Sequence, residues 1–299
     1  MPEPAPDEVL VQVIAAGINP IDRRLRGGEL TEYISRTFPV VPGWDLAGRI
    51  AQVGSSVQGW KAGDEVVGLA FTWSIQHGTN AEFATVKAES ICAKPRALSF
   101  DMAGALPLVS LTAWQALAEF GEIKPGQRVL IQAGAGGLGS AAIPIAKHLG
   151  AIVYTTCSAA NADYVRALGA DYVIDYRSTD YVAELTRREP GGLDLVLEAL
   201  LSDATTEAAI RLVRPGGVVV YMNNEPPDMP EIANNNIRTE FLHHRPDGEQ
   251  LGYLLGLYAK GTLPLPELRV MPLEQVREAH ELSEAGRTRG KLVLHIQDP

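Results

Sequence analysis

The feature that most restricts how this sequence can fold is Gly134-Ala135-Gly136-Gly137-Leu138-Gly139, a G-x-G-x-x-G run. It lies between a strand-like segment, Val129-Leu130-Ile131, and a helical one ending near Leu149, and a second strand-like segment, Ile152-Val153-Tyr154, follows at once. Strand, glycine turn, helix and strand in that order make one βαβ unit with parallel strands and a right-handed crossover. In such a unit the first glycine permits the tight turn, and the second lets backbone approach a pyrophosphate. The third lets helix and strand pack closely, while the helix N-terminus offers N–H groups to the anion. An Ala/Gly-rich turn can arise without a ligand, but the flanking elements point to a bound dinucleotide.

The rest of the chain fits around that unit. Tyr172-Val173-Ile174, Leu193 to Leu197 and Val218 to Tyr221 are continuous apolar runs separated by helical stretches. Strands covered on both faces read this way, so the expected fold is α/β with a doubly wound parallel sheet. Earlier, Val9, Val11 and Val13 alternate with Leu10, Gln12 and Ile14 before the turn signal Gly17-Ile18-Asn19-Pro20. From Phe38 to Val67, β-rich runs are broken by Pro42-Gly43, Gly54-Ser55, Gly59 and Gly63-Asp64, the punctuation of a small antiparallel barrel. Near residue 101 the character changes: Asp101 can cap a helix, and Ala103, Leu106, Leu108, Leu111, Trp114 and Leu117 follow at mostly helical spacing. After Pro246 come a helix from about Glu249 to Ala259, an amphipathic segment from Leu273 to Ala285, and a strand from Lys291 to Ile296. The predicted organisation is a β-rich substrate domain over 1–107, a dinucleotide-binding domain over 108–245, and a segment over 246–299 that returns to the first.

Composition narrows the function. At 299 residues and 46% apolar, the chain can bury a large core. No run approaches the roughly 18 consecutive apolar residues that a membrane helix needs, and MPEPAPDEVL lacks the features of an export signal. Cys92 and Cys157 are the two cysteines, too few for a disulfide framework or a four-thiolate zinc lobe. A reducing, cytoplasmic setting is expected. The net charge of -10 opposes nucleic-acid binding.

Coenzyme choice turns on the end of the second strand of the βαβ unit, where an NAD enzyme places an acid about 20 residues after the fingerprint. Residues 151 to 162 contain no acid and include Thr155, Thr156 and Ser158, so a 2′-phosphate would meet hydroxyls and NADPH is favoured over NADH. Ser158 can equally cap the next helix. Arg166 and Arg177 are the nearest positive charges along the chain.

Further motifs carry a resemblance. Gly17-Ile18-Asn19-Pro20-Ile21-Asp22, Pro42-Gly43-Trp44-Asp45-Leu46-Ala47-Gly48, Gly63-Asp64-Glu65-Val66 and Ala133 to Gly139 fall in the order seen in medium-chain dehydrogenase/reductases. So do Leu168 to Tyr176, Arg214-Pro215-Gly216-Gly217 and Gly290 to Leu294. Over nearly its whole length the chain resembles the zinc-free quinone oxidoreductase branch. The resemblance implies a Rossmann-type domain joined to a GroES-like β-rich substrate domain. It also implies a homodimer paired through Ile237 to His244, and a first lobe shortened relative to family members.

By the same resemblance, zinc alcohol dehydrogenases of the family place ligands where this chain has Asn19, Trp44, Asp45 and Ser110. One carboxylate cannot hold catalytic zinc, which takes three protein ligands. The implied reaction is zinc-independent hydride transfer from NADPH to a quinone or an α,β-unsaturated carbonyl, acceptors that need only orientation and a hydrogen bond to oxygen. The implied coenzyme contacts are Asn19 and Thr112 at the nicotinamide and its ribose, Gly134, Gly136, Gly137, Leu138 and Gly139 at the pyrophosphate, and Ser158 with Tyr176 at the 2′-phosphate. Asn19 reads equally as a turn residue before Pro20, and Asp22 as a residue that fixes the loop through local hydrogen bonds. Many relatives carry Gly-x-Tyr-Ala-Glu near the hydride acceptor, where this chain has Gly78-Thr79-Asn80-Ala81-Glu82. His77 and Tyr33 are titratable, but neither is assigned a catalytic role. Glu198-Ala199-Leu200-Leu201 replaces an Asp-x-x-Gly of relatives, narrowing the space expected around the nicotinamide. The competing expectation is a non-catalytic NADPH-binding sensor or structural protein with a reductase fold.

Overall fold

A computed structural model describes residues 2–299. The chain divides into two compact units: Met1–Leu111 with Arg245–Thr262 and Glu267–Pro299, and Thr112–His244 with Leu263–Pro266.

The first unit grows from β1 (Glu8–Ile18), whose Val9, Val11 and Val13 are fully buried. Its elements continue as α1 (Pro20–Gly27), β2 (Ser35–Val41), β3 (Asp45–Val53), β4 (Glu65–Leu69), β5 (Ser74–His77), β6 (Phe83–Lys87), β7 (Ile91–Ala93) and α2 (Phe100–Ala105). A further helix, α3 (Pro107–Trp114), runs on into a π-helical turn over Gln115–Phe120. The alternation of β1 places its valines against Leu46, Ile50, Val66, Ala84 and Val86, the apolar core of this unit.

The second unit is a run of strand–helix repeats. β8 (Arg128–Ile131), α4 (Gly137–His148), β9 (Ile152–Cys157), α5 (Ala162–Ala167), β10 (Tyr172–Asp175) and α6 (Tyr181–Arg188) form one half. β11 (Leu193–Glu198), α7 (Asp203–Leu212), β12 (Val213–Tyr221), α8 (Pro230–Asn234) and β13 (Arg238–Phe241) form the other. The six strands are parallel in the order β10-β9-β8-β11-β12-β13. The order reverses between β8 and β11, the switch point at which open parallel sheets bind ligands beyond the carboxyl ends of their strands.

The chain then returns to the first unit through α9 (Gly248–Ala259), β14 (Leu268–Pro272), α10 (Val276–Glu284) and β15 (Lys291–His295). The sheet order there is β14-β15-β1-β3-β4-β7, with β6 also on β1. β1 is long enough to serve three partners, pairing through residues 8–12 with β6, 9–15 with β3 and 15–18 with β15. No helix among the described residues is long and apolar enough to cross a membrane.

Two local expectations are corrected. The Gly17–Pro20 segment is no simple turn, because Gly17 and Ile18 extend β1 and Pro20 opens α1, where its fixed φ and missing N–H suit a helix start. Asp101 does not cap its helix. The helix starts earlier, at Phe100, so Ser99 is the cap and its Oγ accepts from the Met102 N–H at 3.2 Å. Asp101 falls in the first turn, where an acid still meets the positive end of the helix dipole, and its carboxylate lies 2.9 Å from His295 Nδ1. Replacing Ser99 by Ala is expected to cost about 1 kcal/mol of stability, read as a lower midpoint in urea unfolding with an unchanged slope.

Candidate functional site

In the second unit the glycine loop links β8 to α4. Gly134 N–H donates to Thr156 O at 3.0 Å, and Gly136 N–H to Ala133 O at 2.9 Å. The turn's left-handed residue is Ala133, with φ 51°, so no glycine of the motif supplies that conformation. Gly134 and Gly139 are required by contact instead. A methyl carbon on Gly134 would collide with Thr155 Oγ1, and one on Gly139 would stand 2.5 Å from Gly134 Cα and 2.6 Å from Ala133 O. At Gly136 the added carbon would meet only Ala133 O, at 3.3 Å. That position is therefore open on the side where a pyrophosphate can reach backbone. Gly137, Leu138 and Gly139 form the first turn of α4, whose N–H groups have no intrahelical acceptor. These features fit a dinucleotide.

Register brings two further residues side by side. Cys157 of β9 pairs with Asp175 of β10, so the next residues, Ser158 and Tyr176, leave adjacent strand ends together. Ser158 makes no side-chain capping bond, and Tyr176 is 54% exposed with the Arg177 guanidinium 5.8 Å from its ring centre. Thr112, on α3, is buried and its Oγ1 has no hydrogen-bond partner among the described residues.

At the switch point lies Glu198, noted in the sequence as the start of a departure from relatives but not as a buried carboxyl. Glu198 ends β11, and its Oε1 accepts from Leu200 N–H and Thr205 Oγ at 3.0 Å each. Its Oε2 has no partner among the described residues, and burial pushes the carboxyl up to about 7. The sequence signal for its burial is an acid closing an otherwise apolar strand.

In the first unit, Asn19 joins a buried polar network. Its Nδ2 donates to Asp45 Oδ2 at 2.8 Å, and its Oδ1 accepts from Lys291 Nζ at 2.6 Å. Lys291 Nζ also lies 3.3 Å from Ile18 O and 3.5 Å from Asp45 Oδ2, and Asp45 Oδ1 accepts from Leu108 N–H at 2.7 Å. Asp22 Oδ2 accepts from Asn19 N–H at 2.8 Å, the local bond expected of it. Burial pushes Asp45 up and Lys291 down, and each opposes the other's shift by holding the opposite charge nearby. Asp22 is pushed up to about 7, by burial first and then by the neighbouring Asp45, against the Asn19 amide and Lys291. Lys291 was missed because a lysine opening a C-terminal strand usually snorkels to solvent, whereas here it is 2% exposed.

A carboxyl whose folded pKa lies above its unfolded value stabilises the fold at low pH and loses that contribution as pH rises through the folded value. Asp22 therefore weakens the fold between about pH 4 and 7, and by the shift alone the loss approaches about 4 kcal/mol. Asp22→Asn keeps an oxygen for the Asn19 N–H and removes the titration. Thermal unfolding at pH 5 and pH 8 should show a smaller fall in Tm for the variant than for the parent chain; equal falls would remove Asp22 from the account.

Comparisons with known proteins agree with this geometry. Residues 5–106 match a family described as alcohol dehydrogenase GroES-like domain, and residues 168–294 one described as zinc-binding dehydrogenase. The 2-methylene-furan-3-one reductase of Solanum lycopersicum is 33% identical over 99% of this chain and 73% of its own. The quinone oxidoreductase structure from Coxiella burnetii superposes with a TM-score of 0.88 at 33% identity, over 99% of this chain and 92% of that one. The Escherichia coli quinone oxidoreductase complexed with NADPH gives a TM-score of 0.87 at 28% identity, over 99% and 94%.

Proposed function

The chain belongs to the quinone oxidoreductase-like medium-chain dehydrogenase/reductases and is an NADPH-dependent oxidoreductase, and from that membership we propose that it transfers hydride, without zinc, to a quinone or an α,β-unsaturated carbonyl. The observation that carries the zinc-free reading is the Lys291 ammonium bonded to Asn19 and beside Asp45. By the resemblance, Asn19 and Asp45 stand where metal-dependent relatives keep ligands. Both oxygens of Asp45 are already engaged by Leu108 N–H, Asn19 and Lys291, so the local donor set is organised around an ammonium ion.

Within this reading, the open face at Gly136 and the first-turn N–H groups of Gly137, Leu138 and Gly139 hold the pyrophosphate, with Gly134 shaping the loop. Ser158 and Tyr176 hold the 2′-phosphate, and Thr112 and Asn19 border the nicotinamide and its ribose. Bound NADPH supplies the hydride. The chain's part is to bind, orient and exclude water. A homodimer joined along β13 belongs to the same reading, supported by that strand's position at the end of its sheet, where an edge offers N–H and C=O groups for pairing. A reducing, cytoplasmic setting is in keeping with two buried, free cysteines.

Loss of NADPH absorbance with an ortho-quinone, a para-quinone and an enone assayed in parallel, with product identification and metal analysis, tests the proposal. Turnover by zinc-free protein is the expected result; tight NADPH binding with no oxidation of any acceptor would favour the sensor or structural alternative. Ser158→Asp places a carboxylate at the end of β9, and the ratio of NADPH to NADH affinity measured by calorimetry should fall at least about tenfold. An unchanged ratio would remove Ser158 from the phosphate site.

A further inference from the structure

At the carboxyl ends of β8 and β11 two buried acceptors have no donor among the described residues: Gln132 Oε1 and Glu198 Oε2. Register brings their residues together. Ile131 pairs with Leu197, and the Gln132 N–H donates to Leu197 O at 3.2 Å, so Gln132 and Glu198 are the next residues of neighbouring parallel strands. Residues in register on such strands project to one face, and Tyr181 of α6 marks it. Its hydroxyl accepts from Gln132 Nε2 at 3.2 Å, and burial first and then the neighbouring Glu198 push its pKa up. Gln132 is 1% exposed and Glu198 0%. Acceptors buried side by side without a donor oppose folding unless one of them carries a proton. An amide oxygen does not, whereas a carboxyl can. The burial that pushes Glu198 up to about 7 keeps the proton there. Every group facing it is neutral: Tyr181 from α6, Tyr221 from β12, Thr205 from α7 and Gln132 beyond β8.

The place of this proton ties it to the coenzyme. Gln132 leads directly into Ala133 and Gly134 of the glycine loop. Glu198 Oε1 holds the segment after β11 through Leu200 N–H and Thr205 Oγ1, and Ala199 O and Leu200 O of that segment accept from Asn223 and Asn224 Nδ2 at 2.9 and 3.4 Å. We propose that Glu198 is a positioning residue for NADPH: as a neutral acid it donates from Oε2 to Gln132 Oε1 and ties the glycine loop to the segment after β11, and as a carboxylate it loses that bond and repels the coenzyme's phosphates. The inference rests on the coenzyme placement proposed above and gives it a pH dependence. A polyanion binds best beside the uncharged acid, so NADPH affinity falls as pH rises through the neutral range, and binding takes up part of a proton.

Calorimetric titration with NADPH from pH 6 to pH 8.5 tests this, with Glu198→Gln as the reference. The glutamine oxygen accepts from Leu200 and Thr205, its NH₂ donates to Gln132, and it does not titrate. The coenzyme's own 2′-phosphate titrates with either chain and cancels in the comparison. Across that range the parent's affinity should fall at least about threefold further than the variant's. Two flanking variants shift the midpoint of the parent profile in opposite senses. Gln132→Leu removes the acceptor of the neutral acid and moves the midpoint down, whereas Thr205→Val removes a donor to the carboxylate and moves it up. A side chain that only fills space gives no such opposed shifts. Parallel profiles for the parent and Glu198→Gln overturn the proposal. Flanking midpoints that do not part in these senses overturn it too, and they decide the matter should Glu198→Gln fail to fold. NADPH binding with parallel profiles leaves the coenzyme placement standing, whereas no heat with NADPH at any pH overturns both.

Discussion

The first unit is held at its centre by one buried cation. Lys291 reaches Asn19, Ile18 and Asp45 from a sequence distance of more than 200 residues, joining the start of β15 to the end of β1 and the beginning of β3. Taking an ammonium and carboxylates out of water is costly, and the cost is offset only because the side chains satisfy one another. Removing either charged partner, Lys291 or Asp45, would leave the other's charge without its counterpart in a buried setting. The same arrangement engages both oxygens of Asp45 and the amide of Asn19 inside the protein.

The second unit is governed by contact distance rather than charge. Its loop succeeds because Gly139 lies against Gly134 and Ala133, and Gly134 against Thr155, so that β8 and α4 approach more closely than any side chain allows. The left-handed turn falls to Ala133 instead, at a conformational cost of about 1 kcal/mol. Strain of that size at a non-glycine residue persists only where the surroundings over-determine the backbone. Here the bonds from Gly134 N–H to Thr156 O and from Ala133 N–H to Thr156 Oγ1 do so.

Much of this was legible in the sequence. The parallel strands announced themselves as apolar runs, because a strand covered on both faces has no polar face to show, and the glycine loop was identified by its flanks. The buried charges were not. Lys291 and Glu198 each open or close an apolar strand, and sequence cannot distinguish a charge that escapes to solvent from one sealed in, as Lys291 is by partners hundreds of positions away and Glu198 is by its own following turn. Asn19 was legible as a residue that mattered, whereas its double engagement by Asp45 and Lys291 depended on long-range topology. Asn80 drew notice as a departure from a familiar pattern, but only the fold reveals that its amide is buried without a partner.

The three-way pairing of β1 has a consequence for the order of folding. Its last four residues pair with residues 292–295, so the first unit keeps one seam open until two segments far apart along the chain have met. The parallel-sheet unit is drawn almost entirely from one continuous stretch, 112–244, and can close earlier. Until the β1–β15 pairing forms, the end of β1 lacks that neighbour, so the order in which the two units fold follows from the order in which their segments meet.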